Sequence, residues 1–173
     1  MQPRSRRIKL LACVSCWLFP APAGGAEAER DGDLRMRIAL VIERFEPGGG
    51  MEGAAWQVAR GLARAGDEVH VIARRATPAP GVEAHLVRAP SRWMPLRVAV
   101  FAKQAARAAA AGRFDVVHAF SRVPKQHLYR AGGGSHADYM KCAYGPVGAG
   151  LRRLTPRHAL LLGLERRIFA SGS

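Results

Sequence analysis

Apolar positions in this chain follow two alternating rhythms. "MRIALVI" (Met36 to Ile42) is an unbroken apolar run, the pattern of a strand buried on both faces. Beyond it, Ala55, Val58, Ala59, Leu62 and Ala63 recur at helical spacing, with Arg60 and Arg64 on the other side. Gly66 stands where a C-terminal glycine cap belongs. "EVHVIAR" (Glu68 to Arg74) predicts a second strand and, after the turn residues "TPAPG", "VEAHLVRA" (Val82 to Ala89) predicts a third. From Arg97 to Ala111 the stripe Val98, Phe101, Ala105 and Ala108 predicts a helix with Lys103 and Arg107 on its opposite face. "FDVVHAF" (Phe114 to Phe120) and "HLYRAG" (His127 to Gly132) read as two more strands. Thr155 and Pro156 read as the N-cap and first turn of a last helix, with Leu160, Leu161, Leu164 and Ile168 on one face. Alternating strands and helices predict an α/β fold: a parallel sheet covered by helices on both faces.

The link between the first strand and the first helix is unusual. "FEPGGGMEG" spends three consecutive glycines, Gly48, Gly49 and Gly50, where ordering them costs conformational entropy. One reading is a loop whose backbone N–H groups approach the phosphates of a ligand at a helix N-terminus. A tight turn without ligand is the plainer alternative. "GGGMEG" also satisfies G-x-G-x-x-G, and Arg74 and Arg75 at the end of the second strand would suit an NADP phosphate. That oxidoreductase reading suffers from "ERFEP", which separates the glycines from the first strand.

Charge changes the picture for the second half. The chain holds 27 Lys and Arg against 13 Asp and Glu, a net charge of +14. Met36 to Glu83 is neutral, whereas Ala84 to Ser173 carries a net +12, which points to an anionic partner there. Nucleic acid is not expected, because aromatics make up only 7% and no base-reading motif appears. A GC-rich genome is the bland source of an Arg excess in which only Lys9, Lys103, Lys125 and Lys141 are lysines. Residues 1–35 lie outside the predicted fold. Their basic start, apolar Leu10 to Phe19 and "APA" outline a signal peptide, and an overcalled start ahead of Met36 is the rival reading. "CVSC" (Cys13 to Cys16) has no second pair and no strand–helix context. His127, His136 and Cys142 lack close ligand spacing, so no metal site and no bound cofactor are expected.

"RIALVIERFEPGGGMEGAAWQVARGLARAGDEVHVIARR" resembles the opening of family 4 glycosyltransferases. "FDVVHAFSRVPKQHLYRAGGGSHADY" and "LRRLTPRHALLLGLERRIF" resemble later parts of the lipopolysaccharide core glucosyltransferase I branch of that family. The resemblance covers Met36 to Phe169 and implies a single Rossmann-like domain, the acceptor-side half of a two-domain GT-B fold. It implies a nucleotide sugar such as UDP-glucose as donor substrate and a lipid-linked saccharide as acceptor. Transfer of a hexose between them follows, on the cytoplasmic face of the inner membrane, or elsewhere if residues 1–35 are a true signal peptide. Gly49 and Gly50, extended by Gly48, match the glycines beside donor phosphates and acceptor. His118, Ser121, Arg122 and Lys125 match the loop that lines the acceptor side, although His118 reads equally as a core histidine at a strand end. Arg92, Arg97, Lys103 and Arg107 would face an anionic membrane, with a solvated helix face as the alternative.

Three departures from the family pattern stand out. Asp67 replaces the usual His after Gly66, Phe120 stands where many members have a second histidine, and Gly53–Ala54 stand where relatives tend to have Arg-Asp. No catalytic residue is therefore assigned. Nothing in residues 36–173 reads as the donor-binding domain with its Glu-x7-Glu type motif. A truncated or split product is expected, inactive alone and completed by a separately encoded donor domain, with a non-catalytic membrane- or partner-binding remnant as the alternative.

Overall fold

A computed structural model describes residues 35–90, 92–132 and 134–170. Residues 1–34 of the predicted leader 1–35, with Cys13 and Cys16, lie outside the described residues. Five strands form one parallel sheet in the order β5-β3-β1-β6-β7. They are β1 (Arg37–Val41), β3 (Glu68–Ala73), β5 (Val82–Leu86), β6 (Val116–Ala119) and β7 (Leu128–Tyr129). Helix α1 (Gly50–Arg64) lies between β1 and β3, and α2 (Met94–Ala111) between β5 and β6. The chain lays down β3 and β5 on one side of β1, then crosses back to place β6 on the other. This reversal is the switch point at which ligands of open parallel sheets bind, outside the carboxyl ends of the strands.

The period-2 alternation of the strands sends alternate residues to two cores. Ile38, Leu40, Val69 and Val71 pack with Phe45 and Phe120 against Ala55 and Ala59 of α1. Ala39, Val41, Ile72 and Ala119 pack against Phe101, Ala105 and Ala109 of α2 and against Val123. Each fully buried Leu, Val or Ile contributes about 1.5–3 kcal/mol of transfer free energy, so the central strands carry most of the apolar stabilisation. Alanine at the helix contacts lets both helices sit close to the sheet.

Several local expectations are corrected. Helix α2 starts at Met94, three residues before Arg97, with Pro95 in its first turn where a missing N–H is harmless. Its buried stripe is Phe101, Ala102, Ala105 and Ala109, rotated slightly from the predicted one. Two short strands, β2 (Arg44–Phe45) and β4 (Arg75–Ala76), pair in parallel beside the main sheet. Helix α3 (His136–Arg152), which no periodicity announced, is capped by the Ser135 hydroxyl accepting from Asp138 N–H at 3.1 Å. It is kinked at Gly145, where φ is +67°. Helix α4 (Pro156–Ala170) begins at the predicted proline, and the Thr155 carbonyl accepts the Ala159 N–H at 2.9 Å, as an N-cap residue does. The Thr155 hydroxyl donates to the Arg152 carbonyl at 2.8 Å and so joins the end of α3 to the start of α4. Gly66, at φ +90°, follows the end of α1 as expected. Asp67 is buried and accepts from the Met36 N–H.

Candidate functional site

The cleft at the switch point has a volume of about 260 Å³. Its floor is Ile42 and Phe120, at the ends of β1 and β6, and its sides are Met51 of α1, Phe101 of α2, Tyr129 of β7 and Leu161 of α4. Charge enters at the rim through Glu43, Arg44, Glu52, Arg122 and Arg130.

Met51 and Glu52 of the first turn of α1 line the cleft, whereas the predicted Gly48, Gly49 and Gly50 come immediately before them and do not. Gly49 is the extended N-cap of α1, with φ −87° and ψ 171°, and no side chain caps the helix there. The first-turn N–H groups of α1 consequently keep their positive end beside the cleft. Gly50 has φ +73°, a conformation that costs an L side chain roughly 1–2 kcal/mol. A Cβ on Gly48 or Gly49 would meet nothing within 4 Å, so their outer side is open. Gly53 is the opposite case: a Cβ there would fall 1.7 Å from the Gly48 carbonyl oxygen. The first turn of α1 therefore lies against the loop backbone, and the relatives' Arg has no room at Gly53 without moving that loop.

Glu43 is the electrostatic hub. Its carboxylate meets Arg97 Nε at 2.8 Å and Arg74 Nε at 3.3 Å, and its N–H donates to the Ser121 hydroxyl at 3.0 Å. Ser121 thus ties the ends of β1 and β6 together and lines the cleft, as does Arg122. Arg97, expected to face a membrane, is turned inward onto Glu43 instead. Arg74 is committed to the same carboxylate, while Arg75 is exposed. β1 ends at Val41 and β2 intervenes before Gly48, whereas a dinucleotide loop follows its strand directly. The NADP reading loses its glycine motif and one of its two arginines.

Arg122 is held by a residue far along the chain. Its Nε and a terminal nitrogen both reach Glu165 Oε1 at 2.9 Å, and the two oxygens of Glu165 accept the His136 N–H at 2.9 Å. Glu165 is only 5% exposed, so a buried carboxylate is neutralised by one guanidinium and one backbone donor. His136 Nε2 and His158 Nδ1 lie 2.8 Å apart with rings stacked. Burial is the main cause that holds both below the ordinary imidazole value of 6.5; nearby arginines add to it. Burial likewise raises Tyr129 above 10.0.

The remaining predicted site residues fall elsewhere. His118 is half-buried with its ring 4.4 Å from that of Phe120; it is Phe120, not His118, that lines the cleft. Burial, then Arg130, lowers its pKa below 6.5. Lys125, with φ +68°, joins Lys103, Arg107 and Arg167 around a second groove of about 460 Å³ between α2 and α4, floored by Ala102, Ala106 and Leu164. Arg92 is exposed beside Trp93, ahead of α2. His127 accepts the Val117 N–H, His136 is buried and Cys142 is exposed on α3, so these three do not converge. Sequence reading missed Glu43, Arg44, Arg130 and Glu165. For Glu165 the one available signal was an acidic residue inside the apolar face of a helix.

A parallel sheet with a glycine-initiated helix over a switch-point cleft defines a Rossmann-like domain. The chain belongs to glycosyltransferase family 4, whose profile matches residues 48–171. No curated protein matches it. Among solved structures it is similar to one described as "Crystal Structure of WaaG, a glycosyltransferase involved in lipopolysaccharide biosynthesis". The TM-score is 0.66 at 22% identity over 75% of this chain, a likeness of fold. The match spans 35% of that protein's length.

Proposed function

We propose that this domain forms the acceptor side of a glycosyltransferase that moves a hexose from a nucleotide sugar to a lipid-linked saccharide. The observation that carries the reading is the open side of Gly48 and Gly49 immediately ahead of Met51 and Glu52, the first-turn residues of α1 that line the cleft. Bare backbone at a helix N-terminus suits close approach by phosphate and sugar oxygens. Arg122, fixed by Glu165, and Arg130, over the Phe120 ring at 5.7 Å, add positive charge for an anionic acceptor. The donor is held chiefly by the second domain of such a fold, so the domain described here transfers no sugar by itself. Nothing in this reading calls for a bound cofactor.

Membrane attachment belongs to the same proposal, with the complete enzyme peripheral on the cytoplasmic face. Lys103, Arg107, Lys125 and Arg167 ring an apolar trough, and exposed Trp93 and Leu96 lie with Arg92 at the start of α2. Each basic residue near an anionic surface contributes about 1 kcal/mol, so four support reversible binding. Among the described residues no helix is long and apolar enough to cross a membrane.

Calorimetric titration tests the reading. UDP-glucose is expected to bind only after a family 4 donor domain is added, and NADPH not at all. Silence toward UDP-glucose in both states makes the domain a non-catalytic binding remnant. Sedimentation with anionic vesicles should fall steeply with salt, and equal retention on neutral vesicles refutes the membrane part.

A further inference from the structure

The parallel register of β3 and β5 pairs His70 with Glu83 and Ile72 with His85, which puts His70, Glu83 and His85 on one face of the sheet. Their ligand atoms lie within 4.8 Å of one another. His70 Nδ1 is 3.0 Å from His85 Nε2 and 3.5 Å from Glu83 Oε2, and His85 Nε2 is 3.7 Å from Glu83 Oε1. Ligands about 2.0–2.1 Å from a tetrahedral ion lie roughly 3.3–3.4 Å from each other. The two imidazole nitrogens need move by only tenths of an ångström, whereas Glu83 meets His70 and His85 through different oxygens, so its exposed carboxylate must turn to offer one of them to both.

The proton arrangement also suits a ligand set. Glu68 Oε1 accepts from His70 Nε2 at 2.8 Å, and Arg37 Nε steadies Glu68 from 3.0 Å. In the tautomer with its proton on Nε2, His70 presents a lone pair at Nδ1 toward His85 and Glu83. A carboxylate behind a ligating imidazole is the usual outer support of a metal-bound histidine. Phe114 packs on the His70 ring at 5.0 Å and the His85 ring at 6.3 Å, which limits their rotation. His70 is 3% exposed, whereas Glu83 and His85 open to solvent and leave an entry path and a fourth position for water.

We propose that His70, His85 and Glu83 bind one divalent transition-metal ion of the zinc class. Two imidazoles and a carboxylate favour such an ion over Mg²⁺ or Ca²⁺, which take oxygen ligands. The site lies toward the amino ends of the strands, beside Phe114 ahead of β6, away from the cleft. Its effect is structural: it fastens the edge strand β5 to β3.

The test uses the full chain without a histidine tag, carrying Cys13→Ser, Cys16→Ser and Cys142→Ser so that thiolates do not compete. Titration with ZnCl₂ should give one ion per chain. At about a hundred times Kd the melting temperature should rise by roughly 5–10 °C, and MgCl₂ should give no rise. His85→Ala should abolish binding, and Glu83→Gln should weaken it at least about tenfold, from the loss of one of three protein ligands. Both positions are solvent-exposed, so neither exchange removes core. Absence of Zn²⁺ binding, or unchanged binding in His85→Ala, overturns the proposal and leaves the two histidines as a hydrogen-bonded pair.

Discussion

Gly53→Ala should destabilise the domain, against the direction that helix propensity gives. Alanine inside a helix is favoured over glycine by about 1 kcal/mol. At Gly53, however, the new methyl would sit 1.7 Å from the Gly48 oxygen and 2.7 Å from the Gly48 carbon, and Cβ contacts shorter than 3.0 Å essentially do not occur. The loop must therefore retreat by at least about 1.3 Å, the gap between 3.0 and 1.7 Å, and both atoms are backbone, which cannot rotate aside. Overpacking of this kind costs roughly 1–3 kcal/mol and occasionally more, so the upper part of that range outweighs propensity. A net loss of about 1–2 kcal/mol is expected, read as a lower urea midpoint with an unchanged slope. Gly49→Ala is the matched control. Its backbone is extended and its surroundings open, so the loss of a glycine N-cap and the gain in unfolded-state stiffness nearly cancel, within about 0.5 kcal/mol. Equal or higher stability of Gly53→Ala refutes the close packing of the loop on α1. If the functional reading also holds, Gly49→Ala folds normally yet loses UDP-glucose binding in the reconstituted enzyme.

Other consequences are open to measurement. Glu165→Ala should cost about 3–5 kcal/mol by chemical denaturation, because it strands the Arg122 guanidinium and the His136 N–H; a loss below 1 kcal/mol contradicts the buried pair. His136 and His158 have folded pKa values below 6.5, so the unfolded state binds protons first as pH falls. Their contribution to stability is complete above about pH 6.5 and declines as pH drops from there toward the folded values; a His136→Gln/His158→Gln variant should flatten that slope in thermal melts. Ser135→Ala should lower stability by about 1 kcal/mol through loss of the α3 cap. Exchange of Lys103 and Arg107 for Glu should reduce binding to anionic vesicles more than tenfold, with the far-UV spectrum unchanged.

How much of this was legible in the sequence depends on the range of the interaction. β1, β3 and α1 announce themselves because their apolar period is local and uninterrupted. Helix α3 did not, since "YGPVGAG" concentrates residues that disfavour helix, and its formation rests on Ser135 and on burial of Met140 and Ala149. β2 and β4 are two residues each, too short for any period to appear. Family likeness pointed to Ser121 and Arg122, which line the cleft, but the carboxylate that anchors Arg122 is 43 positions away on α4. Arg97 looked like a surface charge because helical spacing alone cannot reveal Glu43 at the end of β1. His70 and His85 each read as one polar position in a strand, and only the register of the two strands brings them together.

The anchoring of Arg122 by Glu165 also sets an order of events. On a chain emerging amino end first, β1, β3 and β6 are available for pairing well before α4 is made. Until α4 docks, the Arg122 loop has no carboxylate to hold it and the cleft lacks its Leu161 wall. The pocket is thus finished only once α4 has been made. For the same reason its rim should be the first region to exchange amide hydrogens in the folded protein, as α4 lifts while the sheet stays closed.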